Sequence, residues 1–186
     1  MLKKTLLIPI CIVMALVCSN PAAAAGRTAL VIGNAAYLSS PLANPGNDAA
    51  DMARVLKRLG FDVILKVNAD KKTMKQALRD FKLKLGRSEI GLFYYAGHGM
   101  QIDGVNYLIP VNTSIREEWE VESEAIGASR FLAAMKAAGT PLNIVILDAC
   151  RDNPFKRSFR TSEKGLAQMS APAGTIISYA TAAGSV

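Results

Sequence analysis

The sequence is poor in the side chains that build metal centres and disulfide frameworks. It has one histidine, His98, and three cysteines, of which Cys11 and Cys18 lie within the first 25 residues. The one cysteine that remains after this segment, Cys150, cannot form an intramolecular disulfide. One histidine and one cysteine also supply no cluster of metal ligands. We therefore expect neither a metal nor a cofactor.

Residues 1–25 show the pattern of a secretory signal peptide. Lys3 and Lys4 precede an apolar run over residues 6–17, and small residues lead up to Gly26. The apolar run is shorter than the roughly 18 to 20 residues that a spanning helix needs, which disfavours the alternative of an uncleaved membrane anchor. We expect the mature chain to be exported to the periplasm or the extracellular space, without stable membrane association after signal removal.

Features of nucleic-acid and nucleotide binding are also missing. Removal of Lys3 and Lys4 lowers the net charge from +7 to +5, and no basic stretch is interleaved with aromatic residues. No Gly-x-Gly-x-x-Gly or Gly-Lys-Ser/Thr loop follows the first apolar strand at Gly33. We therefore expect no nucleic-acid partner, and a nucleotide-binding domain is a weak alternative.

Residues 26–186 are enough for one domain with one core. Short apolar runs alternate in this region with helical patterns, and Asp103-Gly104 marks a hairpin turn. The alternation predicts an α/β domain in three layers, a mostly parallel sheet with helices on both faces. The predicted strands are 27–33, 61–67, 90–99, 144–149 and 174–180, and the predicted helices are 47–59, with Asn47 as N-cap, 72–85 and 125–138.

Two of these predicted strands end in residues that can carry chemistry. The apolar run 144–149 suits a central parallel strand covered on both faces, and Cys150 follows it directly. The run that begins at Ile90 ends in the same way at His98. Open α/β sheets bind ligands beyond the carboxyl ends of their strands. We expect Cys150 and His98 to meet at this edge.

A cysteine beside a histidine is suited to nucleophilic catalysis. An imidazolium lowers the pKa of a nearby thiol, so that His98 would activate Cys150 and donate the proton. Gly97 and Gly99 would let backbone and substrate approach the imidazole without a Cβ in the way. The amides of Gly99 and Cys150 would together polarise a scissile carbonyl. The alternatives are an inert buried cysteine and a structural histidine.

The two motifs together resemble those of a known family. The sequence Tyr-Ala-Gly-His-Gly at residues 95–99, followed by Asp-Ala-Cys-Arg at residues 148–151, is similar to the caspase-like cysteine peptidases, which include metacaspases and bacterial relatives. The caspase signature has Gln-Ala-Cys with the histidine about 50 residues upstream. The resemblance covers nearly all of the chain after residue 26. It implies a caspase-like sandwich and a Cys-His dyad formed by Cys150 and His98.

The resemblance also implies a substrate. Asp148 stands where caspases have glutamine and metacaspases have aspartate, and in metacaspases this residue and the one matching Asp48 line a pocket for Arg or Lys. The implied function is a cysteine endopeptidase that cleaves peptide or protein substrates after these residues. For Asp48 an alternative is a favourable interaction with the helix dipole, whereas Asp148 at the end of a buried strand needs a partner.

Two departures from the family support an alternative, a catalytically silent module that binds peptides or protein partners. Ala96 stands where metacaspases commonly have a pocket serine. The chain ends at Val186, soon after the last predicted strand, where the caspase fold would continue. We therefore expect a domain shortened at its C-terminal end.

Overall fold

Strands and helices follow each other as the sequence predicts. The computed structural model describes residues 26–150 and 165–180, and of Cys150 it describes the backbone alone. In chain order the strands of this part are β1 Arg27–Gly33, β2 Asp62–Val67, β3 Ile90–Ile102, β4 Val105–Leu108, β5 Ile126–Gly127, β6 Leu142–Cys150 and β7 Thr175–Tyr179. The helices are α1 Pro45–Arg58, α2 Lys71–Leu85, α3 Val121–Glu124 and α4 Ser129–Ala138. The predicted signal peptide lies outside the described residues.

Parallel pairing orders the main strands β2, β1, β3, β6, β7. Beyond His98, β3 pairs antiparallel with β4, which in turn pairs with β5. Gly33 lies opposite Ala96, and Ala96 lies opposite Asp148. The carboxyl ends of β1, β3 and β6 are therefore side by side at one edge, which we call the carboxyl edge.

Helices cover both faces of the sheet because β2 pairs with one side of β1 and β3 pairs with the other. α1 leads from β1 to β2, whereas α2 returns past β1 to β3, and right-handed crossovers place these two helices on opposite faces. Ala53 and Leu56 of α1 pack on one face, and Phe81 of α2 packs with Phe131 of α4 on the other. The three-layer α/β fold is as predicted. The strand order reverses between β1 and β3, and in open α/β sheets such a reversal marks the place where ligands bind.

Local sequence explains several of the element ends. Asp70 caps α2, its side chain accepting a hydrogen bond from the Thr73 amide at 2.7 Å. Gly139 ends α4 with a left-handed φ of 72°. Asp103 and Gly104 have φ values of 49° and 75°, which fits the tight hairpin predicted between β3 and β4.

Several boundaries differ from the predicted ones. The helix predicted over 125–138 begins only at Ser129, because Ile126–Gly127 form the strand β5 and pair with β4. Asn47 is not the N-cap of the first helix, because α1 begins at Pro45 with Asn44 before it, and proline suits a first turn whose amides need no intrahelical acceptor. The third strand does not end near His98 but continues to Ile102, since β4 provides a partner. The segment 111–123, in which neither a helix nor a strand was predicted, contains a 3₁₀ turn at Glu118–Glu120 and the start of α3.

Candidate active site

His98 lies at the carboxyl edge and is only 2% exposed. Its Nε2 atom is 2.7 Å from the carbonyl oxygen of Ser40, in the loop after β1. A carbonyl oxygen can only accept a hydrogen bond, so Nε2 carries a proton and donates it. In the neutral ring Nδ1 is then the basic nitrogen. Ser40 has a left-handed φ of 59°, a strained conformation for a serine that is often found at functional sites.

Two neighbouring tyrosine hydroxyls bind the backbone of His98, one at its amide and one at its carbonyl. The His98 amide donates to the Tyr37 hydroxyl at 2.9 Å, and the Tyr95 hydroxyl donates to the His98 carbonyl at 2.7 Å. The ring of Tyr37 also packs against the imidazole, with 4.4 Å between ring centroids. Both hydroxyls lie close to the carbonyl oxygen of Ile109, at 3.1 and 3.0 Å. The histidine is therefore fixed by its own main chain as well as by its ring.

Gly97 is required by this arrangement. Its φ is +155°, and a Cβ at this position would lie 2.6 Å from the Tyr37 hydroxyl and 2.8 Å from the Tyr95 hydroxyl. At Gly99 a Cβ would meet Ala149 at 2.9 Å. The sequence suggested that these glycines give a substrate access to the imidazole. The structure gives a different reason, since the space beside them is filled by the protein itself.

Asn34 ties three loops together behind the histidine. It is fully buried, and its side-chain amide donates to the carbonyl oxygens of Ala69 and Ile109, both at 3.2 Å. Its side-chain oxygen accepts from the Ala69 amide at 2.8 Å. The loops after β1, β2 and β4 are thereby fixed to each other. A buried side chain whose polar atoms are all satisfied in this way makes the surrounding structure rigid.

Cys150 is the last residue of β6 and lies in register with His98 on the adjacent strand. The positions that the sequence predicted to meet are therefore direct neighbours in the sheet. The Ile109 amide donates to the His98 carbonyl at 3.0 Å. Because successive residues of a strand direct their amides to opposite sides, the Gly99 amide is expected on the side of β6. This is the side on which the predicted oxyanion site of Gly99 and Cys150 requires it.

Asp48, Asp148 and Tyr94 form a second group on the α1 face of the sheet. Asp148 is half-buried at the end of β6, and Asp48 is exposed in the first turn of α1. Burial raises the pKa of Asp148, the negative charge of Asp48 raises it further, and a hydrogen bond from Tyr94 opposes both effects. Burial, followed by the two carboxylates, raises the pKa of Tyr94 to about 12. The structure thus brings the two predicted pocket carboxylates together.

Ala96 lies between these groups. It is 1% exposed and stands opposite Asp148 on one side and Gly33 on the other. Gly33 permits the start of α1 to approach, because a Cβ there would lie 2.2 Å from the Pro45 carbonyl oxygen. α1 can therefore present Asp48 close to the end of β6.

Sequence reasoning missed Asn34, Tyr37, Ser40, Tyr94 and Tyr95. The two adjacent tyrosines were a signal, since polar hydroxyls are unusual in a strand that is otherwise apolar. Asn34 directly after a buried strand was another. Tyr37 and Ser40 lie in an irregular loop, and no local pattern connects them with His98.

The described residues contain no group of three or more His, Cys, Asp or Glu side chains that could hold a metal ion. Across residues 26–150 and 165–180, none of the helices combines the length and apolar character needed to cross a bilayer.

A cysteine and a histidine therefore occupy positions in register at the carboxyl edge, as catalysis by a thiol nucleophile with a histidine base requires. Comparisons with known proteins identify the family. A caspase-domain peptidase family model matches residues 26–186. The chain therefore belongs to the caspase-domain peptidases, a family of cysteine endopeptidases.

Individual relatives agree with this assignment. Mucosa-associated lymphoid tissue lymphoma translocation protein 1 of Homo sapiens is 32% identical over 126 residues, as is its homolog in Mus musculus. These matches cover 67% of this chain but only 15% of each relative. The crystal structure of the Drosophila initiator caspase Dronc matches with a TM-score of 0.56 at 11% identity, over 84% of this chain and 54% of that chain. This likeness concerns the fold.

Proposed function

We propose that this protein is an exported cysteine endopeptidase that cleaves peptide bonds after Arg or Lys, with Cys150 as nucleophile and His98 as its proton partner. The observation that carries the proposal is the register of β3 and β6, which sets position 150 opposite a buried histidine whose Nε2 proton is committed to Ser40. Membership of the caspase-domain peptidases supports the same reaction.

In this proposal each ring nitrogen of His98 has its own role. Nε2 stays protonated on the Ser40 carbonyl oxygen, so Nδ1 accepts the proton of the Cys150 thiol. The thiolate then forms a bond with the scissile carbonyl carbon, and the amides of Gly99 and Cys150 stabilise the oxyanion. Protonated Nδ1 gives its proton to the leaving amine. Water, with Nδ1 as base, then hydrolyses the thioester and restores the thiol.

The specificity for a basic residue rests on Asp148 and Asp48. The negative charge of Asp48 raises the free-energy cost of ionising Asp148, and a ligand that brings a positive charge offsets this cost. A guanidinium about 4 Å from a carboxylate gains on the order of 4 kcal/mol of Coulomb attraction at an effective dielectric near 20, before desolvation is subtracted. Arg should be preferred to Lys, because its planar fork can engage two acceptors at once.

Export follows from the signal-like pattern of residues 1–25. Mass spectrometry of the N-terminus of protein from the secreting host tests it. A mature N-terminus near Gly26 is expected, and an intact Met1 in the exported fraction would contradict signal cleavage.

The cleavage proposal is tested with four peptides that differ only in the residue before the scissile bond, which is Arg, Lys, Ala or Asp. Initial rates should rank Arg above Lys, and both far above Ala and Asp. Preference for Asp would overturn the acidic pocket. Binding of the Arg peptide without cleavage of any peptide would instead identify a silent peptide-binding module.

A further inference from the structure

Two adjacent tyrosines of β3 reach opposite faces of the sheet. Tyr95 is fully buried in the core between the sheet and helices α2 and α4. Tyr94 is 5% exposed and packs in the cluster beneath α1. Successive side chains of a strand alternate in this way. One strand therefore sends a hydroxyl to each of two polar groups at the carboxyl edge.

The Tyr95 hydroxyl lies among the groups that surround His98. It lies 2.7 Å from the His98 carbonyl oxygen, 3.0 Å from that of Ile109 and 3.3 Å from the Tyr37 hydroxyl. A phenylalanine ring would fill the same apolar space, and a buried hydroxyl costs free energy unless it is hydrogen-bonded. Packing therefore does not explain the hydroxyl, whereas its bond to the backbone of His98 does.

The Tyr94 hydroxyl lies on the other face of the sheet, with the side chains of Asp48 and Asp148. Asp148 lies on the adjacent strand two positions beyond Ile146, the residue paired with Tyr94, so the two side chains are diagonal neighbours on one face of the sheet, within reach of a long side chain. In the described part of the chain, the titratable groups that act on Asp148 are Asp48 from α1 and Tyr94 from β3. Tyr94 is therefore a neutral side chain placed to donate to one carboxylate while a second carboxylate, Asp48, raises the pKa of both.

We infer that the tyrosine pair divides the site between two tasks: Tyr95 positions the histidine for the chemical step, and Tyr94 positions Asp148 for recognition of the basic residue. The inference rests on the proposed function. Neither tyrosine is a catalytic residue, since each acts through the side chain or backbone that it holds. The two hydroxyls belong to consecutive residues of one strand but lie on opposite faces of the sheet, and they should then have separable effects.

The matched variants Tyr95→Phe and Tyr94→Phe test this division, each serving as the control for the other. Tyr95→Phe should lower kcat about tenfold on Arg and Lys peptides alike, with KM and the Arg-to-Lys ratio unchanged, as expected for one lost buried hydrogen bond. Tyr94→Phe should raise KM for the Arg peptide about three- to tenfold and leave kcat nearly unchanged. It should also move the acid limb of kcat/KM to higher pH, because a bond that favours the carboxylate is lost.

A purely structural role would give a different result. If both variants lower kcat and raise KM in proportion to their loss of melting temperature, the hydroxyls only stabilise the fold and the inference is wrong. It is also wrong if Tyr95→Phe changes the Arg-to-Lys ratio or if Tyr94→Phe leaves both KM and the acid limb unchanged.

A second measurement does not depend on activity. His98 is the only histidine, so its ring signals in an NMR spectrum of protein without a histidine tag are assigned without ambiguity. Tyr95→Phe should shift them and Tyr94→Phe should not, whereas the carboxyl signal of Asp148 should respond in the opposite way. If no peptide is cleaved by the wild type, the proposed function fails. These spectra still decide whether Tyr95 acts on His98 alone and Tyr94 on Asp148 alone. Equal responses of both groups to both variants would overturn the division.

Discussion

Asp62 and Asp148 lie at opposite ends of the sheet and differ in their burial and in the charge beside them. Asp62, at the start of β2, forms an ion pair with Lys84 at 2.5 Å, and the two side chains are 58% and 45% exposed. Asp148, near the end of β6, is half-buried, and its described neighbours are a second carboxylate, Asp48, and the neutral hydroxyl of Tyr94. One carboxylate is neutralised in water, and the other is partly desolvated beside a like charge.

The two carboxylates differ in what they contribute to the free energy of folding. An exposed ion pair such as that of Asp62 contributes about 0 to 1 kcal/mol and needs no functional explanation. A half-buried carboxylate with a like charge beside it opposes folding when it is ionised, and such arrangements are typical of functional sites. Lys84 supplies a positive charge beside Asp62. At the carboxyl edge, a cationic substrate residue would supply the positive charge beside Asp148.

The strongest test removes the reactive groups at the carboxyl edge. Cys150→Ala and His98→Ala should each lower kcat/KM by about a thousandfold or more, because the two side chains act as a unit. Thr28→Val is the matched control at the opposite edge, where Thr28 is 3% exposed and its hydroxyl lies 2.7 Å from that of Ser88. It should leave activity unchanged. Initial rates with the Arg peptide decide, and cleavage surviving in Cys150→Ala would refute the peptidase assignment.

The next test removes one negative charge at a time, from either end of the sheet. Asp148→Asn should lower kcat/KM on the Arg peptide about a hundredfold, since truncating one partner of a buried charge pair costs roughly 2 to 5 kcal/mol. No gain on the Asp peptide is expected, because the variant adds no positive charge. Asp62→Asn should change neither rate. Equal losses in the two variants would mean that net charge, and not the local pocket, attracts the substrate.

The effect of pH sharpens the same comparison. The pKa of Asp148 is raised above its ordinary value of 3.8, mainly by burial and then by Asp48. Its carboxylate is therefore lost on acidification at a pH above 3.8, and the attraction for Arg is lost with it. The ratio of kcat/KM for the Arg peptide to that for the Ala peptide should fall as the pH decreases, because titration of the Cys-His pair cancels in the ratio. Asp148→Asn should make the ratio independent of pH in this range.

The smallest expected effect is on stability. A carboxyl group whose pKa is raised by folding binds protons more tightly in the folded state, so its contribution is fully favourable below the unfolded pKa and is lost as the pH rises through the folded pKa. Asp148→Asn should therefore keep or slightly raise the melting temperature at pH 7 and flatten its decline with pH. Asp62→Asn should lower it slightly. Thermal unfolding at several pH values measures both, and a marked loss of stability in Asp148→Asn would show that its carboxylate has a stabilising partner.

The sequence predicted what depends on local pattern. The apolar run of β6 and the helix-forming pattern of α2 were enough for the three-layer fold, and parallel strands bring their ends to one edge, so the meeting of positions 98 and 150 could be predicted as well. The N-cap at Asn47 was wrong because a proline two residues earlier starts the helix. The hairpin turn at Asp103-Gly104 was visible in the sequence, but not that the strand leading into it continues β3 without a break past His98.

The supporting groups of the site depend on contacts between distant segments. The Ser40 carbonyl oxygen meets a side chain 58 residues away, and Tyr37 meets the His98 amide across 61 residues. A carbonyl oxygen carries no sequence signal at all, since every residue has one. Only the fold can select Ser40 as the partner of the histidine.

The central claim is that Cys150 is a nucleophile beside a pocket for basic residues, and active-site labelling tests it most directly. Two peptide electrophiles that differ only in carrying Arg or Asp are incubated with the wild type, Cys150→Ala and Asp148→Asn, and modification is located by mass spectrometry. We expect the Arg reagent to label Cys150 rapidly in the wild type, slowly in Asp148→Asn and not at all in Cys150→Ala. Faster labelling of the wild type by the Asp reagent, or no labelling of Cys150 by either, would contradict the account.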